Sequence, residues 1–170
     1  NAAAVIDNQP YATIEEAIGA AEDGDTVTIN PGTYQGSGEE IQVTKAITIE
    51  GAGDRASTLN NMVFNIESTD KAENGHGTSG VDHTMDVTFR NLNFTDASRI
   101  KVGFKDMQNS VYETLETTYL TIDDCYANVQ NPDQRGVFIY LGSTYNTNLD
   151  LTITDSILIN SHKIVGEDTS

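Results

Sequence analysis

The sequence predicts an all-β fold, a right-handed parallel β-helix whose N-terminal end is capped by one amphipathic α-helix. Two observations predict this fold: a short helical pattern near the N-terminus, and a strand motif that then recurs along the 170-residue chain. We expect a single domain, 1–170, with a strand and the capping helix in 1–25 and the coils of the β-helix in 26–170. Loop insertions are predicted near 68–84 and 106–118.

Residues 13–23 carry the helical pattern. Thr13 and Glu16 match a capping box, in which two residues each satisfy a free amide at the start of the helix. Apolar residues recur at the spacing of one helix face, and they are Ile14, Ala17, Ile18 and Ala21. Gly24 is predicted to end the helix in the left-handed conformation. Because so short a helix needs an apolar surface to lie on, it is predicted to cover the open end of the strand stack.

The strand motif reads apolar-Thr-apolar-polar and is usually followed by Asn, Asp or Gly. Its five copies are Val27–Asn30, Ile47–Gly51, Val87–Asn91, Leu120–Asp124 and Leu151–Asp155. Because side chains alternate along a strand, the two apolar residues of each copy point inward and Thr points outward. The Asn, Asp or Gly that follows turns the chain into the next wall. The long gap between the second and third copies is predicted to hold one extra coil, at Met62–Ile66.

Other segments are predicted to form the remaining walls of the β-helix. They are Ile100–Phe104 and Val137–Leu141, together with the apolar positions Phe94, Ala127 and Leu158 that follow the later copies. An antiparallel β-sandwich or jelly roll is the alternative fold, because it also has short strands at close spacing. The N-terminal helix and the near-regular repeat favour the β-helix.

The first third of the chain contains four segments that carry a family resemblance, and they are Tyr11–Ile18, Ala20–Val27, Pro31–Tyr34 and Lys45–Gly53. Together they resemble the opening of pectin-lyase-like β-helix proteins. The resemblance is close over about residues 5–53 and continues afterwards only through the repeat. The family includes pectate lyases, pectin methylesterases, polysaccharide hydrolases and noncatalytic surface modules. The resemblance therefore implies the fold and leaves the activity open.

The chain is strongly acidic, with 26 Asp and Glu residues, 9 Lys and Arg residues and a formal net charge of −17. A field of that sign repels phosphates, so we expect no nucleic-acid partner. No apolar run is long enough to span a bilayer, so we expect no membrane insertion. Cys125 is the only cysteine, and its acidic neighbours favour a buried structural thiol over a nucleophile.

The repeat places polar side chains in two columns at one corner of the coils: Asn91, Asp124 and Asp155 in one, and Arg90, Asp123 and Thr154 one place earlier. The three carboxylates, Asp123, Asp124 and Asp155, are predicted to lie close together. They are interpreted first as solvated corner residues. The alternatives are a Ca²⁺ site, or with Arg90 a catalytic group for polysaccharide cleavage. The family's pectate lyases use Ca²⁺ with a basic proton acceptor, and Arg90 is the basic side chain expected near this column. The paired-Asp and Arg pattern of the methylesterases is missing. Apart from Ca²⁺ we expect no cofactor.

Two further groups of residues are candidates for binding. His76, with His83 nearby, lies in the Gly-rich segment Glu73–Gly80, which is interpreted as a polar loop because a metal site needs more ligands at firm spacing. Several tyrosines are candidate sugar-stacking platforms on an outer wall. They are Tyr112, Tyr119, Tyr126, Tyr140 and Tyr145.

These observations favour an extracellular structural or adhesive module of a cell-surface or secreted protein over an enzyme. The chain reaches Ser170 without an evident C-terminal cap, and uncapped strand edges favour pairing with another chain. We therefore expect a homo-oligomer or a filament formed by end-to-end stacking. Two alternatives use the same fold: a lyase or glycoside hydrolase with an acidic groove, and a module that binds a polysaccharide ligand without chemistry.

Overall fold

A computed structural model describes residues 1–67, 84–102, 116–130, 136–141 and 147–167 as three β-sheets and one helix, α1 (Ile14–Ala20). The strands are numbered in chain order. The first sheet contains β1 (Ala4–Ile6), β2 (Gln9–Tyr11), β3 (Thr26–Ile29), β6 (Thr48–Gly51), β9 (Thr84–Arg90), β12 (Glu116–Asp123) and β15 (Thr147–Thr154). The second contains β4 (Gly32–Gln35), β7 (Ser57–Asn60), β10 (Asn93–Asp96), β13 (Tyr126–Val129) and β16 (Ile157–Asn160). The third contains β5 (Glu40–Val43), β8 (Val63–Ile66), β11 (Arg99–Val102), β14 (Val137–Leu141) and β17 (Lys163–Glu167).

The order of strands repeats every three elements. From β3 onward, each strand pairs in parallel with the strand three places later in the chain, as β3 does with β6 and β12 does with β15. Among the described strands, the only antiparallel pairs are those of β1 with β2 and of β1 with β3. The protein is therefore all-β with parallel sheets, and the antiparallel sandwich is wrong. The order is compatible with a β-solenoid in which five triplets of strands each visit all three sheets.

The predicted threonine column lies on the first sheet. Register aligns the motif threonines of the four later copies, and they are Thr48, Thr88, Thr121 and Thr152. The first copy is displaced, because Thr26 and not Thr28 lies beside Thr48. A shift of two residues keeps the same side chains facing inward. Val27 and Ile29 are accordingly fully buried, as the motif predicts.

The extra coil predicted at Met62–Ile66 is wrong. Strand β6 pairs directly with β9 in the first sheet, and Val63–Ile66 form β8 of the third sheet. The other predicted walls are confirmed, since β11 and β14 pair in the third sheet. Phe94, Ala127 and Leu158 align in the second sheet. The loop insertions predicted near 68–84 and 106–118 lie largely outside the described residues, although their ends belong to β9 and β12.

The core lies between the three sheets and is filled by aliphatic and aromatic side chains. Four phenylalanines form a chain of edge-to-face contacts, with ring centroids 5.1 Å apart for Phe64 and Phe89, 6.0 Å for Phe89 and Phe94, and 5.4 Å for Phe94 and Phe138. All four are fully buried. Because these residues come from all three sheets, their contacts join the walls to one another.

Helix α1 begins as predicted and ends earlier than predicted. The Thr13 hydroxyl accepts a hydrogen bond from the Glu16 amide at 3.1 Å, which confirms the N-cap. All four predicted apolar positions are buried, and the helix packs on β1, β2, β3 and β5. The C-cap is Ala21, in an extended conformation, so Gly24 is not the C-cap. Gly24, with a φ of 88°, lies instead in a turn after the helix. In that turn the Asp25 amide donates a hydrogen bond to the Glu22 carbonyl. Within the described residues, no helix has the length and apolarity that crossing a membrane requires.

Candidate functional site

The predicted corner columns are present at the end of the first sheet. Parallel register places Asp123 between Arg90 and Thr154 on neighbouring strands. The residues that follow the strands, Asn91, Asp124 and Asp155, all have a positive φ, between 49° and 56°. Asn and Asp tolerate this left-handed conformation better than most residues, which explains why they recur where the chain turns. The corner role predicted for these residues is confirmed.

Asp123 is the most strongly bound carboxylate of the corner. It accepts hydrogen bonds from the Thr154 hydroxyl at 2.8 Å and from the Arg90 Nε at 3.1 Å. The Arg90 guanidinium also lies 3.9 Å from the Glu50 carboxylate. The hydrogen bond from Thr154, and then that from Arg90, lower the pKa of Asp123. A lowered pKa favours the ionised form of Asp123, which suits the base or nucleophile of a carboxylate pair better than its general acid.

Arg55 is the residue that the sequence prediction missed. It lies in the turn between β6 and β7, with a φ of 55°, and its amide donates to the Asn91 side-chain oxygen at 2.7 Å. Its guanidinium forms an ion pair with Asp124 and lies 3.8 Å above the centre of the Tyr126 ring. The expectation that Arg90 is the only basic side chain near this column is therefore wrong. Arg55 comes from a different part of the repeat, and its side chain extends to Asp124, which follows β12.

The three candidate ligands of a cation have different surroundings. Asp123 and Asp124 are each paired with an arginine, whereas Asp155 is exposed at the last corner. Across the described ranges, no group of three or more His, Cys, Asp and Glu side chains is arranged to hold a metal ion. The Ca²⁺ site at Asp123, Asp124 and Asp155, like their catalytic use with Arg90, stays a prediction.

Cys125 follows the corner and is fully buried, as predicted. Its thiol lies 3.3 Å from the Asp123 carbonyl and 3.5 Å from the Phe89 carbonyl. Burial raises the pKa of this thiol to about 11, with smaller contributions from the neighbouring carboxylates. A thiol that stays protonated at neutral pH is a poor nucleophile, so Cys125 is a packing residue.

The candidate tyrosines do not line one wall. Tyr119 and Tyr126 are both partly exposed, but they lie on the first and second sheets, and Tyr140 is buried on the third. Tyr126 is in addition covered by Arg55. Tyr112, Tyr145, His76 and His83 lie outside the described residues.

A cleft of about 270 Å³ lies beside β6 and β9, next to the turn that follows α1. Its two acidic residues are Asp25 and Asp86. The Asp25 carboxylate accepts the Glu22 amide at 2.8 Å, so it already serves the turn. None of the predicted site residues lines this cleft.

The last triplet of strands carries several exposed apolar side chains. Among the described residues, most of the exposed large hydrophobic side chains lie on β15, β16 and β17, and these are Ile153, Ile157, Ile159 and Val165, with exposed fractions of 41%, 58%, 54% and 44%. Ile153 aligns with Ile122 on β12, the neighbouring strand of the first sheet, and Ile122 is fully buried. Each of the three strands is also the last in its sheet. This surface, β15–β17, is called the terminal coil below.

The comparisons with known proteins give no match: neither a protein-family model, nor a curated protein, nor a solved structure corresponds to this chain.

Proposed function

We propose that this chain is a right-handed parallel β-helix of the pectin-lyase-like type, capped at its N-terminal end by α1. We further propose that it serves as an extracellular structural or adhesive module that associates through its terminal coil. The single observation that carries the proposal is the exposed apolar surface of β15–β17.

The strand order supports the fold. Each triplet of strands enters the three sheets in the same sequence, which is how the coils of a β-helix follow one another. Helix α1 buries Ile14, Ala17 and Ile18 against the first strands, as a capping element does. Repeat folds need such caps because each coil contacts only its neighbours.

The terminal coil supports the association. Edge strands present a row of unpaired backbone groups that favours pairing with another strand. Isolated exposed aliphatic residues are common on protein surfaces, but here they recur on the last strand of all three sheets, which favours an interaction site at that end. Ile153 belongs to an inward column, so it needs a covering layer.

The corner residues support a structural role over catalysis. Arg90 and Arg55 join carboxylates that belong to different coils. Paired in this way, the side chains stabilise the stack of coils. The surface ion pairs contribute little energy individually, on the order of 0.5 kcal/mol each. Because each arginine reaches a carboxylate from a later part of the repeat, the pairs favour one register of the strands.

The proposal is tested by measuring the mass of the protein in solution as a function of concentration. We expect sedimentation velocity to show association between micromolar and millimolar protein. Ile153→Asp places a charge on the inward face of the terminal coil, so this variant is expected to remain monomeric throughout that range.

Tyr119→Asp is the matched control. Tyr119 is 43% exposed, close to the 41% of Ile153, but it lies on the outer face of the same sheet. It adds the same charge and is expected to associate as the wild type does. Far-UV circular dichroism should show that both variants keep the wild-type strand content. A wild type that stays monomeric, or equal behaviour of the two variants, would contradict the proposal.

A further inference from the structure

The outer face of the first sheet carries an aromatic side chain between two carboxylates. Parallel register aligns Tyr119 on β12 with Asp86 on β9 and with Asp150 on β15. All three residues are exposed, Tyr119 by 43%. Because neighbouring strands lie about 4.8 Å apart, a group that stacks on the tyrosine ring has a carboxylate within reach on either side. These three residues are called the Tyr119 row below.

The Tyr119 row is negatively charged and has no counter-charge of its own. Among the described residues, no lysine or arginine forms an ion pair with Asp86 or Asp150. Asp86 also lines the cleft beside β6 and β9, whose other acidic residue is Asp25. The whole chain has a formal net charge of −17, which repels anions from this face. Charge complementarity therefore selects a cationic occupant.

A second row of the same face contains a cation that the chain itself supplies. Four residues further along the strands, register places Arg90 between Glu50 and Asp123. The Arg90 guanidinium lies 3.1 Å from the Asp123 carboxylate and 3.9 Å from that of Glu50. A guanidinium thus fits between two carboxylates at this strand spacing.

A second guanidinium of the chain occupies a tyrosine. Arg55 lies 3.8 Å above the centre of the Tyr126 ring and pairs at the same time with Asp124. Arg55 and Arg90 together use the same kinds of group that the Tyr119 row presents, an aromatic ring and carboxylates. In the Tyr119 row, the described part of the chain supplies the ring and the carboxylates but not the guanidinium.

We propose that the Tyr119 row binds an arginine side chain presented by a basic segment of a partner protein. The planar guanidinium stacks on the Tyr119 ring while its N–H groups donate to Asp86 or Asp150. A lysine ammonium is a compact and strongly hydrated charge without a planar face, so it binds the same row less well. This inference does not rest on the proposed function, because it uses the outer face of three neighbouring strands and not the contacts of the terminal coil.

The ligand class is tested by titrating isotope-labelled protein with a blocked hexapeptide in which arginine alternates with glycine. We expect saturable NMR shifts of backbone amides, centred on β9, β12 and β15 around the Tyr119 row. A peptide with citrulline in place of arginine has nearly the same shape without the charge, and should bind about tenfold more weakly. The corresponding lysine peptide keeps the charge and should bind several-fold more weakly than the arginine peptide. Equal affinity of the arginine and citrulline peptides would overturn the inference.

The role of the ring is tested by Tyr119→Leu, which keeps an apolar side chain on the outer face. This variant is expected to bind the arginine peptide about tenfold more weakly, because stacking is lost. Tyr126→Leu is the matched control, since Tyr126 is 39% exposed but is already covered by Arg55. It should keep the wild-type affinity, and far-UV circular dichroism should show wild-type strand content in both variants. Equal affinities of the two variants would contradict stacking on Tyr119.

The role of the carboxylates is tested by the double variant Asp86→Asn with Asp150→Asn. It removes both charges of the row and is expected to weaken binding of the arginine peptide several-fold. Asp7→Asn with Asp54→Asn removes the same net charge from two exposed turns, whose left-handed residues asparagine also tolerates. This control should bind nearly as the wild type does. An equal loss in both double variants would mean that net charge alone attracts the peptide, and would overturn the inference.

A neutral glucan oligomer distinguishes the remaining occupant of an exposed tyrosine. We expect it to leave the amides of the Tyr119 row unshifted. If it shifts them, if this effect is lost in Tyr119→Leu, and if the arginine peptide does not bind, the row is a sugar platform and the inference is wrong.

Discussion

The first and last strands of the main parallel column carry the same inward pattern and have opposite exposure. Val27 on β3 and Ile153 on β15 belong to one column of the first sheet, which runs through β6, β9 and β12. Val27 is fully buried, whereas Ile153 is 41% exposed. The difference comes from what lies beyond each strand: β1 and α1 on one side, and nothing in the described residues on the other. Burial at the ends of a repeat fold is thus set by the neighbouring layer and not by the motif.

The polar corner differs in a similar way between the middle strands of the first sheet and its last strand. In the middle of the stack, Arg55 and Arg90 reach across strands to Asp124 and Asp123. At the last corner, Asp155 is exposed. Within the described residues the last strand of a sheet has only one neighbouring strand, so both its apolar and its polar contacts are reduced. We therefore expect the middle of the stack to tolerate substitutions less well than the terminal coil.

The largest expected effect separates two glycines. A Cβ atom at Gly51 would lie 2.1 Å from the Asn91 carbonyl oxygen, a backbone atom that cannot yield without moving the corner. At Gly166, on β17, the nearest atoms are methyl groups of Val137 at 3.0 and 3.3 Å, which can shift. We expect Gly51→Ala to cost about 3 kcal/mol or more, and Gly166→Ala less than about 1 kcal/mol. Urea unfolding of both variants measures the difference, and equal losses would contradict it.

A smaller effect is expected from one substitution made at both ends. Ile18, on α1, is 4% exposed and packs in the core, whereas Ile153 is 41% exposed. Ile18→Ala leaves a cavity, so we expect a loss of about 3 kcal/mol in the free energy of unfolding. Ile153→Ala is expected to cost about 1 kcal/mol, because part of its surface is already in water.

Both variants should be measured at a protein concentration where the wild type is monomeric. At concentrations where it associates, the cost of Ile153→Ala should rise, since the bound state is also weakened. A larger loss for Ile153→Ala than for Ile18→Ala in the monomer would indicate that the terminal coil is the better packed end. That result would reverse the comparison.

The sequence predicts the repeated elements of this protein well. Alternation of apolar and polar residues is a local signal, and it correctly indicates the inward column, the corner residues and the N-cap at Thr13. Register in the first copy is less well predicted, because a shift of two residues leaves the same alternation. That ambiguity is why Thr28 is predicted where Thr26 lies.

The contacts that the sequence does not predict are those between distant turns. Arg55 comes from a turn with no repeat signal, yet it meets Asp124 and Tyr126. The length of the arginine side chain and the parallel pairing of the strands bring these groups together, and neither can be inferred from spacing along the chain. The extra coil predicted at Met62–Ile66 has a similar origin, because apolar alternation does not identify which sheet a strand joins.

The smallest expected effect concerns Asp123 on β12, which forms an ion pair with Arg90 on β9 and accepts a hydrogen bond from Thr154 on β15. Hydrogen bonds from Thr154 and Arg90 lower the pKa of Asp123 below its ordinary value of 3.8. Since the folded protein binds this proton less readily than the unfolded chain, ionised Asp123 stabilises the fold. This contribution is complete above about pH 4 and is lost as the pH falls through the lowered pKa. Asp123→Asn should therefore reduce stability at neutral pH by less than about 1 kcal/mol.

The pH dependence distinguishes this interaction from a general loss of charge. The stability difference between wild type and Asp123→Asn should shrink as the pH falls from about 4 to about 2, because the wild-type carboxyl becomes protonated there. Asp86→Asn, which removes an exposed carboxylate from the same sheet, is the matched control for the loss of one negative charge at neutral pH. A constant difference for Asp123→Asn across this range would mean that its partners do not favour the ionised form. The contacts of Asp123 with Arg90 and Thr154 would then not stabilise the fold through the charge of the carboxylate.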